Sequence, residues 1–117
     1  MAIVIPTVPG SIPTTNLLPV TPINQVSGST YTFGTADLQA YTLFTSNSSI
    51  TATMPANLAP IGTTIQCEQG NTGLLTIVPG TGVSFTPPGN RIAAYQYAVV
   101  GLFQKQLNVW TVFGAFA

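Results

Sequence analysis

Ser49-Ile50-Thr51-Ala52-Thr53-Met54 and Thr63-Thr64-Ile65-Gln66-Cys67-Glu68 are the stretches whose reading decides the fold. In the first, Ile50, Ala52 and Met54 fall on one side of an extended chain and Thr51 and Thr53 on the other. In the second, Ile65 and Cys67 oppose Thr64, Gln66 and Glu68. A period of two sends successive side chains to opposite faces of a strand. Each stretch therefore reads as a strand with one packed face and one polar face.

The same grammar of Thr, Val, Ile, Tyr and Phe in short runs continues on both sides of these two stretches. It predicts strands over 40–45, 49–54, 63–68, 74–78, 83–86, 97–104 and 109–113. Between them stand Gln69-Gly70-Asn71-Thr72-Gly73, Pro79-Gly80-Thr81-Gly82, Pro87-Pro88-Gly89-Asn90 and Lys105-Gln106-Leu107-Asn108, all rich in turn formers. Successive strands are expected to pair as antiparallel hairpins. The fold class is all-β, an antiparallel β-sandwich or small barrel over residues 32–117. The runs 97–103 and 109–113 are almost wholly apolar, so both their faces should be covered, one by a second sheet and the other by a neighbouring subunit.

Residues 1–31 read differently. Pro6, Pro9, Pro13, Pro19 and Pro22 recur through an uncharged stretch, and each removes a backbone donor and biases its predecessor to extended geometry. The expectation is an extended proline-rich arm. Ile3, Val4, Ile5, Val8, Ile12, Leu17 and Leu18 make it too apolar for a solvated linker, so it should lie against another surface.

Charge narrows the function. The chain has 117 residues, yet two Lys+Arg, two Asp+Glu and no His put charged residues at 3%, where about a quarter is usual. One small domain is all that this length supports. With zero formal net charge, little electrostatic repulsion keeps copies apart, which favours an oligomer over a lone monomer. Arg91 and Lys105 are too few to displace counterions from a nucleic acid. The run Ala98-Val99-Val100-Gly101-Leu102-Phe103 is far shorter than the roughly 18 residues of a membrane-spanning helix. The first residues lack the basic start and unbroken apolar run of a secretory signal.

Catalytic chemistry finds little to work with. Asp37 and Glu68 are the only acids, far apart in sequence and without a His, so neither general acid–base work nor a metal site is expected, and both read as surface or paired carboxylates. Cys67 is a lone cysteine and reads as a small buried apolar residue. The glycines at 70, 73, 80 and 82 join strand to strand, without the helix start or the Lys of a phosphate cradle. Asn47-Ser48-Ser49 matches a glycosylation acceptor but reads as a loop. Tyr95, Tyr97, Phe103, Trp110 and Phe113 read as core or oligomer-interface side chains, or else as a sugar-stacking platform with Gln96, Gln104, Asn108 and Thr111 as polar partners. No cofactor is called for, and the chain is not expected to be an enzyme.

Pro60-Ile61-Gly62-Thr63-Thr64-Ile65 leading into Gln69-Gly70-Asn71-Thr72-Gly73, then Gly82-Val83-Ser84-Phe85, resembles a β-domain of tailed-phage virion proteins found in capsid decoration (cement) proteins and fibre heads. Tyr97 to Lys105 and Asn108-Val109-Trp110-Thr111-Val112-Phe113-Gly114 match its closing part, so the resemblance spans roughly 40–114. It implies architectural roles for Pro60, Gly62, Thr63, Gln69, Gly70 and Gly73, a homotrimer, and no inherited catalytic residue. It also implies a place on the virion. With the arm, the leading expectation is a decoration protein that binds the major capsid protein on the outer capsid surface and stabilises the shell. The alternative is a fibre-tip module that recognises host glycans. Fibre proteins carry long upstream shaft sequence, whereas this chain starts on a proline-rich arm.

Overall fold

The structure, a computed structural model, describes residues 20–117. Its strands are β1 (Ile23–Val26), β2 (Thr30–Thr32), β3 (Tyr41–Phe44), β4 (Ile50–Met54), β5 (Thr64–Gln69), β6 (Leu75–Pro79), β7 (Ser84–Thr86), β8 (Arg91–Ile92), β9 (Val99–Gln106) and β10 (Val109–Gly114). One 3-10 turn, Thr35–Asp37, joins β2 to β3. The all-β fold is therefore what these residues build, and each of the seven expected strands has its counterpart.

A larger sheet has the order β1-β3-β5-β9-β10-β7 and a smaller one β2-β4-β6-β8. From β1 to β8 the chain places alternate strands in alternate sheets, so it winds around the core. The strands β1, β3 and β5 run parallel to one another, as do β2, β4 and β6. Among the named strands antiparallel pairing enters only at β5–β9, β9–β10 and β6–β8, and outside them the isolated bridge Ala93↔Phe116 is also antiparallel. The sheets are thus mixed, and the expectation of successive antiparallel hairpins holds for β9–β10 alone.

The reason lies in the corners. The Gly70 N–H donates to the Phe44 carbonyl at 2.7 Å and the Gly73 N–H to the Ser46 carbonyl at 3.1 Å. The corner after β5 therefore stacks on the corner after β3, where a hairpin would have folded β6 back on β5. A Cβ on Gly73 would meet the Ser48 carbonyl oxygen at 2.1 Å, so the close approach requires glycine there. Gly80 repeats the arrangement one corner on, donating to the Met54 carbonyl at 2.9 Å. The coils keep a common register: Tyr41 pairs with Gln66 and Ile50 with Leu75, each 25 positions on.

Period-two alternation fills the space between the sheets. Ile50, Ala52 and Met54 from one sheet and Ile65 and Cys67 from the other are fully buried, joined by Phe44, Leu75, Ile77, Val100, Leu102 and Trp110. Tyr31, Phe33 and Phe44 meet edge to face, with ring centroids 5.6 to 6.3 Å apart.

The sheets also take up Ile23–Val26 and, within Thr30–Thr32, Thr30 and Tyr31, which fall in the 1–31 stretch expected to be an arm. The boundary at residue 31 is thereby corrected. Proline excludes a strand only where its missing N–H would be needed, and Pro22 precedes β1, with its carbonyl accepting the Tyr41 N–H at 2.9 Å. The arm residues Ile3, Val4, Ile5, Val8, Ile12, Leu17 and Leu18 lie outside the described residues.

Candidate functional site

Strands β9 and β10 form a hairpin whose two faces differ. Val100, Leu102, Gln104, Trp110 and Val112 point into the core. Val99, Phe103 and Phe113 point outward and are 45, 39 and 43% exposed. Register places Phe103 opposite Thr111 and Gly101 opposite Phe113, and on the other side Phe103 opposite Thr64 and Val99 opposite Glu68. The outer face of the larger sheet thus carries an apolar stripe bordered by Thr64, Glu68 and Thr111.

Tyr95 and Tyr97 stand just before β9, 59 and 65% exposed. Tyr97 adopts a left-handed backbone (φ 71°), held by its N–H donating to the Gln69 carbonyl at 2.7 Å. Four of the five proposed aromatics are therefore at the surface. Trp110 is not: it is 1% exposed, packed among core side chains, and its indole N–H has no hydrogen-bond partner among the described residues. Alternation decides this, because Trp110 shares its parity with Val112 and not with Phe113. Trp110 belongs to neither an interface nor a sugar platform.

The two acids are held by hydroxyl donors. Asp37 is fully buried, which corrects the surface alternative of its reading as a surface or paired carboxylate. Its carboxylate accepts from the Tyr31 hydroxyl at 2.6 Å, the Gly34 N–H at 2.8 Å, the Asn24 amide at 3.1 Å and the Thr42 hydroxyl. These donors come from β1, β2, β3 and the turn between β2 and β3, so one buried carboxylate ties both sheets together. Four hydrogen bonds supply the compensation that a buried charge requires. Glu68, on the outer face, accepts from the Tyr41 hydroxyl at 2.6 Å. Burial and the neighbouring carboxylates push the Tyr31 and Tyr41 hydroxyls up to about 12. Burial, with a contribution from the Asp37 charge, also pushes the Cys67 thiol up, so it stays protonated and is no nucleophile.

Two buried amides act as braces: Gln69 in the architectural role that the resemblance implies, and Gln104 in one that the sequence does not announce. Gln69 accepts the Leu75 N–H at 3.0 Å and donates to the Asn71 carbonyl at 3.3 Å, bracing the corner between β5 and β6. Gln104 donates to the carbonyls of Ala59 and Pro60 and accepts the Asn108 N–H, tying the loop before β5 to the β9–β10 turn. Gln104 is therefore a core brace and not a polar partner for a sugar. It shares the inward parity of Val100 and Leu102, which is the signal available in the sequence. Pro60, Gly62 and Thr63 do form a turn, with the Thr63 hydroxyl on the Pro60 carbonyl at 2.7 Å and Gly62 at φ 95°.

No protein-family model and no curated protein matches this chain. The site is accordingly described by its chemistry alone. Among the described residues no three His, Cys, Asp or Glu side chains come together as metal ligands, and no helix is long and apolar enough to cross a membrane. What the surface offers is Val99, Phe103 and Phe113 on one sheet face, with Tyr95 and Tyr97 exposed before β9. Such a surface suits contact with another macromolecule through apolar burial.

Proposed function

We propose that this chain is a structural protein of a tailed-phage virion, a decoration protein that binds the outer capsid surface as an oligomer, a trimer by the resemblance, and stabilises the shell through its N-terminal arm. The observation that carries this reading is the apolar outer face of β9 and β10 on a chain with only four charged residues. Burial of Val99, Phe103 and Phe113 between copies would stabilise the oligomer at about 25 cal/mol per Å². The arm side chains, from Ile3 to Leu18, would do the same against the major capsid protein. Attachment of this kind persists at about 1 M salt, where exposed ionic contacts are screened beyond roughly 3 Å.

Immunogold electron microscopy of the parent virion with antibody to the folded domain tests the reading. Label spread over the shell supports it, and label confined to fibre tips overturns it. The second outcome would favour glycan recognition, for which the exposure of Tyr95 and Tyr97 is the supporting feature.

A further inference from the structure

We propose that the open edge of β1 is a docking site for Ala2-Ile3-Val4-Ile5 of the same chain, added as a further parallel strand of the larger sheet. Among the described residues β1 pairs only with β3 and β2 only with β4, so each ends its sheet on an edge that no described strand covers. The carbonyls of Pro22 and Val26 accept from the N–H groups of Tyr41 and Thr45, both at 2.9 Å. Backbone groups alternate in direction along a strand, so the N–H and C=O of Ile23 and Gln25 face the open side. This edge has no charged residue and no bulge to guard it, and Ile23 is 66% exposed.

The coil spacing identifies the occupant. Paired strands of successive coils are offset by 18 positions at Ile23↔Tyr41, 21 at Thr30↔Thr51 and 25 at Tyr41↔Gln66. Counting back 18 from β1 reaches residues 5–8, which include Pro6; counting back 21 reaches Ala2-Ile3-Val4-Ile5, free of proline and rich in strand formers. In that register Ile3 and Ile5 share the parity of Asn24 and Val26, which face the core, and Ala2 and Val4 share that of Ile23 and Gln25. The same count from β2 reaches Pro9-Gly10-Ser11, whose proline cannot donate, so the site is assigned to the larger sheet alone. The pairing belongs to the free protein, and capsid binding through Ile3 and Ile5 would require its release.

Amide hydrogen exchange on the full chain, read residue by residue, tests the pairing without any particle. The expected result is that the Ile23 and Gln25 amides exchange at least tenfold more slowly than free peptide, at a rate independent of protein concentration. In this register the N–H groups of Ile3 and Ile5 turn toward the Ile23 and Gln25 carbonyls, so in Ile3→Pro that protection is lost at both, while the Ile65 and Leu102 amides keep theirs and report an intact sheet. Exchange of Ile23 and Gln25 at free-peptide rates in the unaltered chain overturns the proposal. So does protection that grows with concentration, which would assign the edge to a second copy, or protection that survives Ile3→Pro.

Discussion

The far edge of the Phe113 ring covers Gly101 on the outer face of the larger sheet, so closely that a Cβ at Gly101 would lie 2.3 Å from the ring's Cζ. Phe113 is 43% exposed, and the obstructing atoms are the end of a side chain free to turn outward. Gly101→Ala should therefore keep the fold, change stability by about 1 kcal/mol or less, and displace the ring. Denaturant unfolding together with the Phe113 ring resonances checks both parts.

Gly73→Ala should behave in the opposite way. Its Cβ would meet the Ser48 and Ser46 carbonyl oxygens at 2.1 and 2.5 Å, and backbone at a stacked corner cannot turn aside. A loss of about 2–3 kcal/mol is expected, read as a lower unfolding midpoint. A midpoint equal to that of Gly101→Ala would contradict the stacked-corner account.

Gln69→Leu removes the acceptor of the Leu75 N–H and leaves that buried donor without a partner. An unsatisfied buried group costs about 1–3 kcal/mol. Equilibrium unfolding should show a loss in this range, with faster amide exchange at Leu75.

Trp110→Ala empties a core position and should cost about 3–5 kcal/mol, whereas Tyr97→Ala at an exposed site should stay within about 0.5 kcal/mol. Thermal melts separate the two. A binding function of the aromatic surface is consequently probed at Tyr95 or Tyr97, because loss of binding in Trp110→Ala would report unfolding.

Alkaline conditions should destabilise the fold in a defined window. Folding raises the Tyr31 and Tyr41 hydroxyls from their ordinary value of 10.0 to about 12. A group whose folded value lies above its unfolded one contributes stability that is fully present below the unfolded value and is lost as pH rises through the folded one. Unfolding midpoints should fall between about pH 10 and 12, less steeply in Tyr31→Phe and less steeply still when Tyr41→Phe is added. Equal slopes in all three proteins would remove the tyrosines from the explanation.

Much of this architecture is legible in the chain, and what is not has identifiable causes. Alternation at Ile50, Ala52, Met54, Ile65 and Cys67 reads correctly because those strands each have one buried and one outer face. The strand Ile23–Val26 hides behind Pro22, and Arg91–Ile92 is too short to show a period. Topology is not legible because Gly70, Gly73 and Gly80 look like hairpin residues, whereas their use is to let one corner approach another. For Trp110 the choice between core and surface follows from its parity with Val112 and not from its residue type. The burial of Asp37 depends on donors from Asn24, Tyr31 and Thr42, whose convergence exists only after folding.

The shared register of the second and third coils has a consequence for length. Because Tyr41↔Gln66 and Ile50↔Leu75 advance by the same 25 positions, the unit between them is a whole number of layers in both sheets at once. Tandem duplication of such a unit would lengthen each sheet by one strand and leave the closing hairpin of β9 and β10 to cap the last coil as before. The molecule is in this sense built to an adjustable height, with its outer apolar face carried on the cap and unaffected by how many layers stand beneath it.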